Sequence, residues 1–408
     1  MKEVSHTFQR LGTEARALHI DERHRMRILA FCHDSFGLGH FRRTTNLARA
    51  LVASEPRASV LCMTASPRPE IFGLPQGVGF VRLPGVTKDA DGGYVSRKLN
   101  ITTDRLLSLR AELIRTTARE YEPDLIIVDH AAVGVRGELI PMLEDQRARS
   151  PRVRMVLGMR DILDEPRRAR AELSRPEVRF AIEEWYDQVV VFGHPQVCDL
   201  AEEYGLSARV RRKLRYVGIA CSVEAPRSAQ TISGPKLVVT VGGGEDGHAV
   251  LDAVADWLLE DPDAAEGATL VTGPLIGATA HGDLSTRLQD TGATVIESTP
   301  DLPDLLQSAE SVLAMGGYNT VYETLSLQKR LVVVPRVRPR MEQWERAHRL
   351  EGMGLLDVVE PSELGRAGVL PRALDRARLR RTVDPAGCGL RFDGASVAAR
   401  TLLADVSA

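Results

Sequence analysis

Residues Ser311–Glu323 read SVLAMGGYNTVYE, an apolar run followed by two glycines and a polar stretch of helical character. The run predicts a buried strand that ends near Met315, and the glycines predict a tight turn into a helix. The first turn of a helix carries backbone N–H groups without intrahelical acceptors, at the positive end of the helix dipole. Such a turn can bind a diphosphate. The residues predicted to contribute are Gly316, Gly317, Tyr318, Asn319 and Thr320.

Glu323 follows Thr320 by about one helical turn and projects from nearly the same face. A carboxylate at that position can accept hydrogen bonds from both hydroxyls of a ribose. The stretch therefore predicts a nucleoside diphosphate site. The alternative is an ordinary glycine turn with Glu323 on a solvated helix face.

Short apolar runs alternate with amphipathic stretches along the whole chain, which is typical of parallel α/β sheets. The strands predicted in the first half are Arg27–Cys32, Ala58–Met63, Leu125–Asp129, Arg154–Met159, Gln188–Phe192 and Arg215–Gly218. Those predicted in the second half are Lys236–Val241, Ala268–Thr272, Thr294–Glu297, Ser311–Met315 and Leu331–Pro335. We therefore predict an α/β protein with two Rossmann-like domains that face a central cleft.

A polar stretch rich in Ser, Ala and Pro, Cys221–Pro235, predicts the linker between these domains. The predicted division is a polar N-terminal tail over 1–25, an N-terminal domain over 26–222 and a C-terminal domain over 223–390. A C-terminal helix within 391–408 is expected to pack back toward the N-terminal domain.

Composition narrows the classes of function. The 408 residues include 53 basic and 55 acidic side chains, a balance that argues against a dedicated nucleic-acid-binding protein. The five cysteines are scattered and form no CxxC pair, which fits a reducing compartment. No apolar run approaches the roughly 20 residues of a membrane-spanning helix, and residues 1–25 lack the apolar core of a signal peptide. We expect a cytoplasmic protein, and contact with a membrane surface stays open.

A second glycine turn follows the strand that ends at Cys32, and it contains Gly37, Gly39 and His40. An imidazole at a strand-to-helix turn can take a proton from a hydroxyl near neutral pH. Asp129 and His130 end another strand at the same sheet edge, so an acidic partner for His40 is expected there. The alternative for His40 is a capping or packing role. The adjacent Arg42 and Arg43 suggest either an anionic ligand or a solvated basic helix face.

Two further turns follow strands of the second half. The consecutive glycines Gly242, Gly243 and Gly244 predict a loop that wraps phosphate oxygens, or else a flexible turn. The segment Pro335–Trp344 supplies Arg338 and Arg340 for phosphate charge and Glu342 and Gln343 for sugar hydroxyls, or else it is a basic surface loop. The DxD pairs at Asp89/Asp91 and Asp261/Asp263 are interpreted as solvated loops, so no metal site is predicted.

Together these turns resemble those of the GT-B superfamily of glycosyltransferases, and among them the MurG-like, family 28-like enzymes. Met315–Glu323 is similar to the signature GGxN[ST]xxE. Pro335–Gln343 is similar to a segment in which two adjacent polar residues, usually Gln-Gln, contact the donor sugar; Arg346 stands where that segment usually carries Asn. The loop around Gly37–His40 resembles the glycine loop that faces the acceptor, with fewer glycines.

The resemblance implies inverting transfer of a sugar from a UDP-sugar to a hydroxyl or amine acceptor, with no metal or other cofactor. His40 would be the catalytic base on the acceptor side of the cleft. The other residues implied on that side are Gly37, Gly39, Arg42, Arg43, Asp129 and His130. Two other interpretations remain: a nucleotide-sugar 2-epimerase or hydrolase on the same fold, and a non-catalytic nucleotide-sugar-binding partner subunit. The acceptor is not identified by the sequence.

Overall fold

The computed structural model describes residues 26–32, 39–88, 93–221, 234–299, 301–380 and 384–407. In these ranges the chain forms a seven-stranded parallel sheet, a six-stranded parallel sheet and a two-stranded hairpin. Helices connect the strands of both larger sheets. The predicted α/β fold with two Rossmann-like domains is confirmed.

The first sheet has the strand order β3-β2-β1-β6-β7-β8-β9. Its strands are β1 (Arg27–Cys32), β2 (Ser59–Thr64), β3 (Val78–Arg82), β6 (Leu125–Asp129), β7 (Arg154–Arg160), β8 (Gln188–Phe192) and β9 (Leu214–Tyr216). The hairpin consists of β4 (Val86–Lys88) and β5 (Tyr94–Ser96). The helices in this first half of the chain are α1 (Gly39–Ser54), α2 (Thr103–Tyr121), α3 (Ile140–Arg149), α4 (Pro166–Leu173), α5 (Pro176–Phe180), α6 (Leu200–Glu203) and α7 (Ala208–Lys213). Short 3-10 or π turns cover Pro69–Phe72, Val135–Gly137 and Ala181–Trp185.

The second sheet has the strand order β12-β11-β10-β13-β14-β15. Its strands are β10 (Leu237–Thr240), β11 (Ala268–Val271), β12 (Thr294–Ile296), β13 (Ser311–Met315), β14 (Arg330–Val334) and β15 (Asp357–Val358). Its helices are α8 (His248–Glu260), α9 (Pro262–Ala265), α10 (Ala278–Leu288), α11 (Leu302–Ser308), α12 (Tyr318–Ser326), α13 (Glu342–Gly352) and α14 (Val369–Leu379). A 3-10 turn covers Pro361–Glu363.

The central strands follow the apolar runs because both faces of each sheet are covered. All five residues of β6 and of β13 are buried, as expected for parallel strands between two layers of helices. In the register of the first sheet, Cys32 at the end of β1 lies opposite Asp129 at the end of β6. The carboxyl ends of these two strands therefore lie side by side at one edge of the sheet.

The last helix, α15 (Gly394–Ser407), packs against α1 of the first half. Two backbone hydrogen bonds lead into it: Ile219 N–H donates to Arg391 O at 2.7 Å, and Gly394 N–H donates to Ile219 O at 3.0 Å. Gly394 allows this approach, since a Cβ atom there would lie 2.4 Å from the carbonyl oxygen of Gly218. Most of the predicted linker, 222–233, lies outside the described residues. In the described part no helix is both long and apolar enough to cross a membrane.

A fully buried ion pair joins the two halves of the molecule. Arg346 on α13 donates through Nε and Nη2 to the carboxylate of Asp161, at 2.7 and 2.8 Å. Neither side chain is exposed. The hydroxyl of Tyr322 donates to the same carboxylate at 2.7 Å, and Arg346 Nη1 donates to the Gly316 carbonyl at 2.9 Å. The pair therefore connects the loop after β7 to the turn that begins α12.

We expect Arg346→Met to destabilise the protein by about 3–5 kcal/mol, because it leaves the Asp161 carboxylate buried without its counter-ion. The midpoint of chemical denaturation, followed by circular dichroism, measures this. The matched control is Arg366→Met, which removes an exposed partner of Glu363 and should leave the midpoint nearly unchanged. Equal midpoints for both variants would contradict the structural role of the buried pair.

Candidate active site

A cavity of about 930 Å³ lies between the carboxyl ends of the two sheets. On the side of the first sheet its wall includes His40 and Arg43 on α1, His130 after β6 and Arg160 at the end of β7. On the opposite side the wall is formed by the turns after β10 and β13 and by the start of α13. The arrangement places residues from both sheets around one space, large enough for a nucleotide-sized ligand.

His40 and Asp129 form a hydrogen-bonded pair at the edge of the first sheet. The distance from His40 Nδ1 to Asp129 Oδ2 is 2.6 Å, and the other carboxylate oxygen accepts hydrogen bonds from Arg43 at 2.5 and 3.0 Å. An ionised carboxylate only accepts, so Nδ1 carries the proton and Nε2 is the unprotonated ring nitrogen. The acidic partner expected for His40 at this edge is thus Asp129.

Burial and neighbouring charges set the protonation of this pair. Burial lowers the pKa of His40 to about 4, against the opposing effect of the hydrogen bond to Asp129. Burial acts to raise the pKa of Asp129, but the Arg43 guanidinium and the His40 hydrogen bond outweigh it and hold that pKa below its usual range. At neutral pH His40 is therefore a neutral imidazole next to an ionised carboxylate, the form that can accept a proton.

His130 and Arg160 extend the same edge. The ring of His130 lies 5.2 Å from that of His40, centroid to centroid, and Arg160 Nη2 lies 3.5 Å from His130 Nε2. His130 has φ +67, a left-handed conformation that a non-glycine residue seldom adopts and that often marks a functional site. The predicted acceptor-side residues Asp129 and His130 are thus brought together with His40, while Gly37 lies outside the described residues.

The glycine turns of the second sheet form the opposite wall. Gly244 has φ +95, and a Cβ atom there would lie 2.5 Å from the Thr272 carbonyl oxygen, so only glycine fits. Gly242 and Gly243 line the cavity beside Gly317 and the first turn of α12. Because Val321 N–H is the first to bond back to the Gly317 carbonyl, the N–H groups before it have no intrahelical acceptor. This wall combines backbone donors with the positive end of a helix.

Glu342 and Gln343 line the cavity at the start of α13. Glu342 Oε1 accepts from Arg336 Nη2 at 2.6 Å, and Gln343 Oε1 accepts from the Arg336 backbone N–H at 3.1 Å. Arg336 also pairs with Asp246 at 2.6 Å. The residues predicted to contact a sugar are therefore held in place by a neighbouring arginine and remain at the surface of the cavity.

Several predicted residues have other partners than expected. Arg338 does not line the cavity, and Arg340 does so while paired with Glu172 at 2.8 Å and with Asp164 at 3.1 Å. These carboxylates come from the first half of the chain, so Arg340 connects the two halves. Its charge is already compensated there, which removes the reason for assigning it to phosphate.

Arg42 and Arg43 do not present free charge to an anionic ligand. Arg43 is buried against Asp129, and Arg42 pairs with Glu323 at 2.8 Å. Glu323 is itself fully buried and is not part of the cavity wall. The predicted ribose ligand thus lies behind the wall, with Arg42 from the opposite half on its carboxylate. Gly39 lies at the same junction, where its carbonyl accepts from Asn319 Nδ2 at 3.1 Å.

Of the two DxD pairs, the structure describes only Asp261/Asp263, which does not line the cavity. Asp89 and Asp91 lie outside the described residues. Asp261 accepts a hydrogen bond from the Ala264 backbone at 3.1 Å and caps the short helix α9. Among the described residues, no group of three or more His, Cys, Asp or Glu side chains is arranged to hold a metal ion.

Sequence reasoning missed Arg160 and the interdomain role of Asp161. The only available signal was their position directly after a predicted strand, where polar residues of a parallel sheet collect. No glycine or recurrent motif accompanies them. The role of Arg346 was missed for a different reason, because its partner lies 185 residues away in the sequence.

Comparisons with known proteins agree with this architecture. No protein-family model matches the sequence, and no similar curated protein is found. Solved structures do match it. MurG of Acinetobacter baumannii is 12% identical with a TM-score of 0.56, over 93% of this chain and 99% of that chain. The glycosyltransferase SnogD from Streptomyces nogalater is 20% identical with a TM-score of 0.54, over 94% of this chain and 100% of that chain.

A third match has a different assigned activity. A Listeria monocytogenes protein provisionally assigned as a UDP-N-acetylglucosamine 2-epimerase is 14% identical with a TM-score of 0.58, over 94% of this chain and 96% of that chain. Glycosyltransferases and an epimerase-like protein therefore share this architecture. At these identities the matches establish the fold, and the chain has the two-domain GT-B fold of these structures.

Proposed function

We propose that this protein is an inverting glycosyltransferase that moves a sugar from a UDP-sugar to a hydroxyl or amine acceptor on a small molecule or glycoconjugate. The observation that carries the proposal is the pair His40–Asp129 on one wall of a cavity whose other wall consists of glycine turns and a helix start. A proton acceptor and a diphosphate site across one cleft are the two parts that direct transfer requires.

The donor diphosphate would bind the wall of the second sheet. Backbone N–H groups of the turn Gly242–Gly244 and of the first turn of α12 would donate to its oxygens. Charge that develops on the leaving diphosphate would then be stabilised by fixed dipoles. In this proposal no bound metal is needed for that stabilisation.

The acceptor would be activated from the wall of the first sheet. As its oxygen forms a bond to the anomeric carbon, the bond from that carbon to the diphosphate oxygen breaks and the electron pair stays on the diphosphate. The acceptor proton passes to His40 Nε2, and Asp129 stabilises the imidazolium through Nδ1–H. Arg43, paired with the same carboxylate, keeps Asp129 in place.

A nucleotide-sugar 2-epimerase or hydrolase is the second candidate, supported by the epimerase-like protein of the same fold. A non-catalytic nucleotide-sugar-binding partner subunit is a third. Incubation with uridine and thymidine sugar nucleotides, with and without a panel of acceptors, separates the three. A glycosyltransferase consumes the sugar nucleotide only when an acceptor is present. An epimerase or hydrolase converts the sugar nucleotide without an acceptor, and a non-catalytic subunit binds it without converting it.

We expect His40→Ala to lower the rate of transfer by roughly 10²-fold or more, because the general base is lost, with nearly unchanged donor affinity. In the wild type, kcat/KM should stay level from pH 7 to about pH 5 and fall as the pH approaches 4, where His40 becomes protonated. Steady-state kinetics across pH measures both. The matched control is His248→Ala at the start of α8. Unchanged turnover in His40→Ala would remove His40 from the mechanism.

Glu323 is proposed to hold the ribose, which requires the ribose hydroxyls to replace Arg42 on its carboxylate. We expect Glu323→Ala to weaken binding of UDP and of UDP-sugar alike by roughly ten- to hundredfold, as for lost hydrogen bonds to a charged group. Isothermal titration calorimetry measures both affinities, with Glu363→Ala as a surface control. If Glu323→Ala and the wild type bind UDP equally well, the ribose assignment is wrong.

A further inference from the structure

Arg160 differs in its partners from most of the arginines at the cavity wall. Arg42, Arg43, Arg336, Arg340 and Arg346 each form an ion pair with a carboxylate. Among the described residues, Arg160 has no carboxylate oxygen within 4.0 Å, and its hydrogen-bond contact is His130 at 3.5 Å. Its Nε is buried and has no acceptor in the described part of the chain. A cation in this position has donor capacity left for a ligand.

Across the cleft, Glu342 has the complementary capacity. Its Oε1 accepts from Arg336, whereas Oε2 is buried and accepts from no donor in the described ranges. Glu342 is only 4% exposed. Burial acts to raise the pKa of Glu342, but Arg160 and then Arg336 outweigh it, and the pKa is lowered below its usual value. Glu342 is therefore an ionised acceptor at the cavity wall.

The two groups act on each other without direct contact. Burial lowers the pKa of Arg160 to about 10, and the Glu342 carboxylate opposes that effect more than any other neighbouring charge. Arg160 remains protonated at neutral pH. The cavity wall thus carries a donor-only group on the first sheet and an acceptor-only group at the start of α13.

The charges of Arg160 and Glu342 determine which ligand groups can bind to both of them. A hydroxyl both donates and accepts, so adjacent sugar hydroxyls can satisfy Arg160 and Glu342 together. An anionic group that binds Arg160 would lie near the charge of Glu342, and an ammonium group on Glu342 would lie near Arg160, each at a cost in free energy. A neutral polyhydroxyl group has neither conflict.

We propose that Arg160 completes the donor-sugar site from the N-terminal domain, so that it and Glu342 bind neutral sugar hydroxyls across the cleft and disfavour uronic acids. This inference rests on the proposed function, because it assumes that a sugar nucleotide occupies the cavity. Arg160 would be a specificity-determining residue, separate from the diphosphate contacts of the opposite wall.

The test is calorimetric titration of the full-length protein with UDP, UDP-glucose and UDP-glucuronic acid. We expect the wild type to bind UDP-glucose more tightly than UDP-glucuronic acid. Arg160→Met should weaken UDP-glucose by roughly ten- to hundredfold, the loss expected for a hydrogen bond from a charged group, while UDP affinity stays within about twofold. The matched control is Arg179→Met, an exposed arginine of α5, and thermal unfolding confirms that both variants fold.

Other results overturn the inference in distinguishable ways. An equal loss of UDP and UDP-glucose affinity in Arg160→Met would assign Arg160 to the phosphates. Unchanged donor affinity with a raised acceptor KM would assign it to the acceptor. Equal or tighter wild-type binding of UDP-glucuronic acid would remove the selection for neutral sugars. If the wild type bound none of the three nucleotides, the proposed donor itself would be wrong.

Discussion

The ion pair between Asp161 and Arg346 holds the loop after β7 against the start of α13 and so constrains how the two sheets face each other. Both side chains are fully buried, so solvent does not screen their attraction. Removing one partner would leave the other charge unpaired in a low-dielectric interior. Because Arg346 also donates to the Gly316 carbonyl, the turn before α12 is tied to the loop after β7. The distance between the cavity wall formed by the glycine turns and the edge with His40 thus depends on this interaction.

Tyr318 strengthens the same junction. The guanidinium carbons of Arg43 and Arg346 lie 5.5 and 5.6 Å from the centre of its ring, within the range of a cation–π interaction. Its hydroxyl donates to the Phe192 carbonyl at 3.0 Å and accepts from the Ala220 backbone at 2.9 Å. Arg43, which contacts the ring, is also paired with Asp129. The His40–Asp129 pair and the domain junction are therefore parts of one packed network.

Apolar patterning predicted the sheets well because buried strands are encoded locally. The predicted bounds of β1, β6, β8 and β13 agree with the structure, since each is an uninterrupted apolar run with a clear end. The edge strands β3 and β15 and the hairpin β4–β5 were missed. Every residue of β3 is at least partly exposed, so its sequence lacks the continuous apolar run of a buried strand.

The parts of the candidate site that consist of glycine turns and strand ends could be predicted from the sequence. The ion pairs of its long arginine side chains could not. The turn Gly242–Gly244 and the pair His40–Asp129 follow from topology, because residues after parallel strands meet at one edge. Arg42 pairs with Glu323 and Arg340 with Glu172 across the cleft. A flexible arginine reaches several carboxylates, so only the packed fold decides which one it binds.

Arg346 occupies a position at which the side chain affects how a sugar could be bound. It stands where the MurG-like segment usually carries Asn, yet here its guanidinium is consumed by Asp161 and the Gly316 carbonyl. Arg346 lies at the cavity wall, but its charge is already paired with Asp161. In the proposed function, polar contacts to a sugar come from other residues of the wall. Among the described residues, Glu342 Oε2 and Arg160 Nε have no hydrogen-bond partner, so in the proposed donor-sugar site Arg160 would supply from the first half of the chain the polar contact that Arg346 does not.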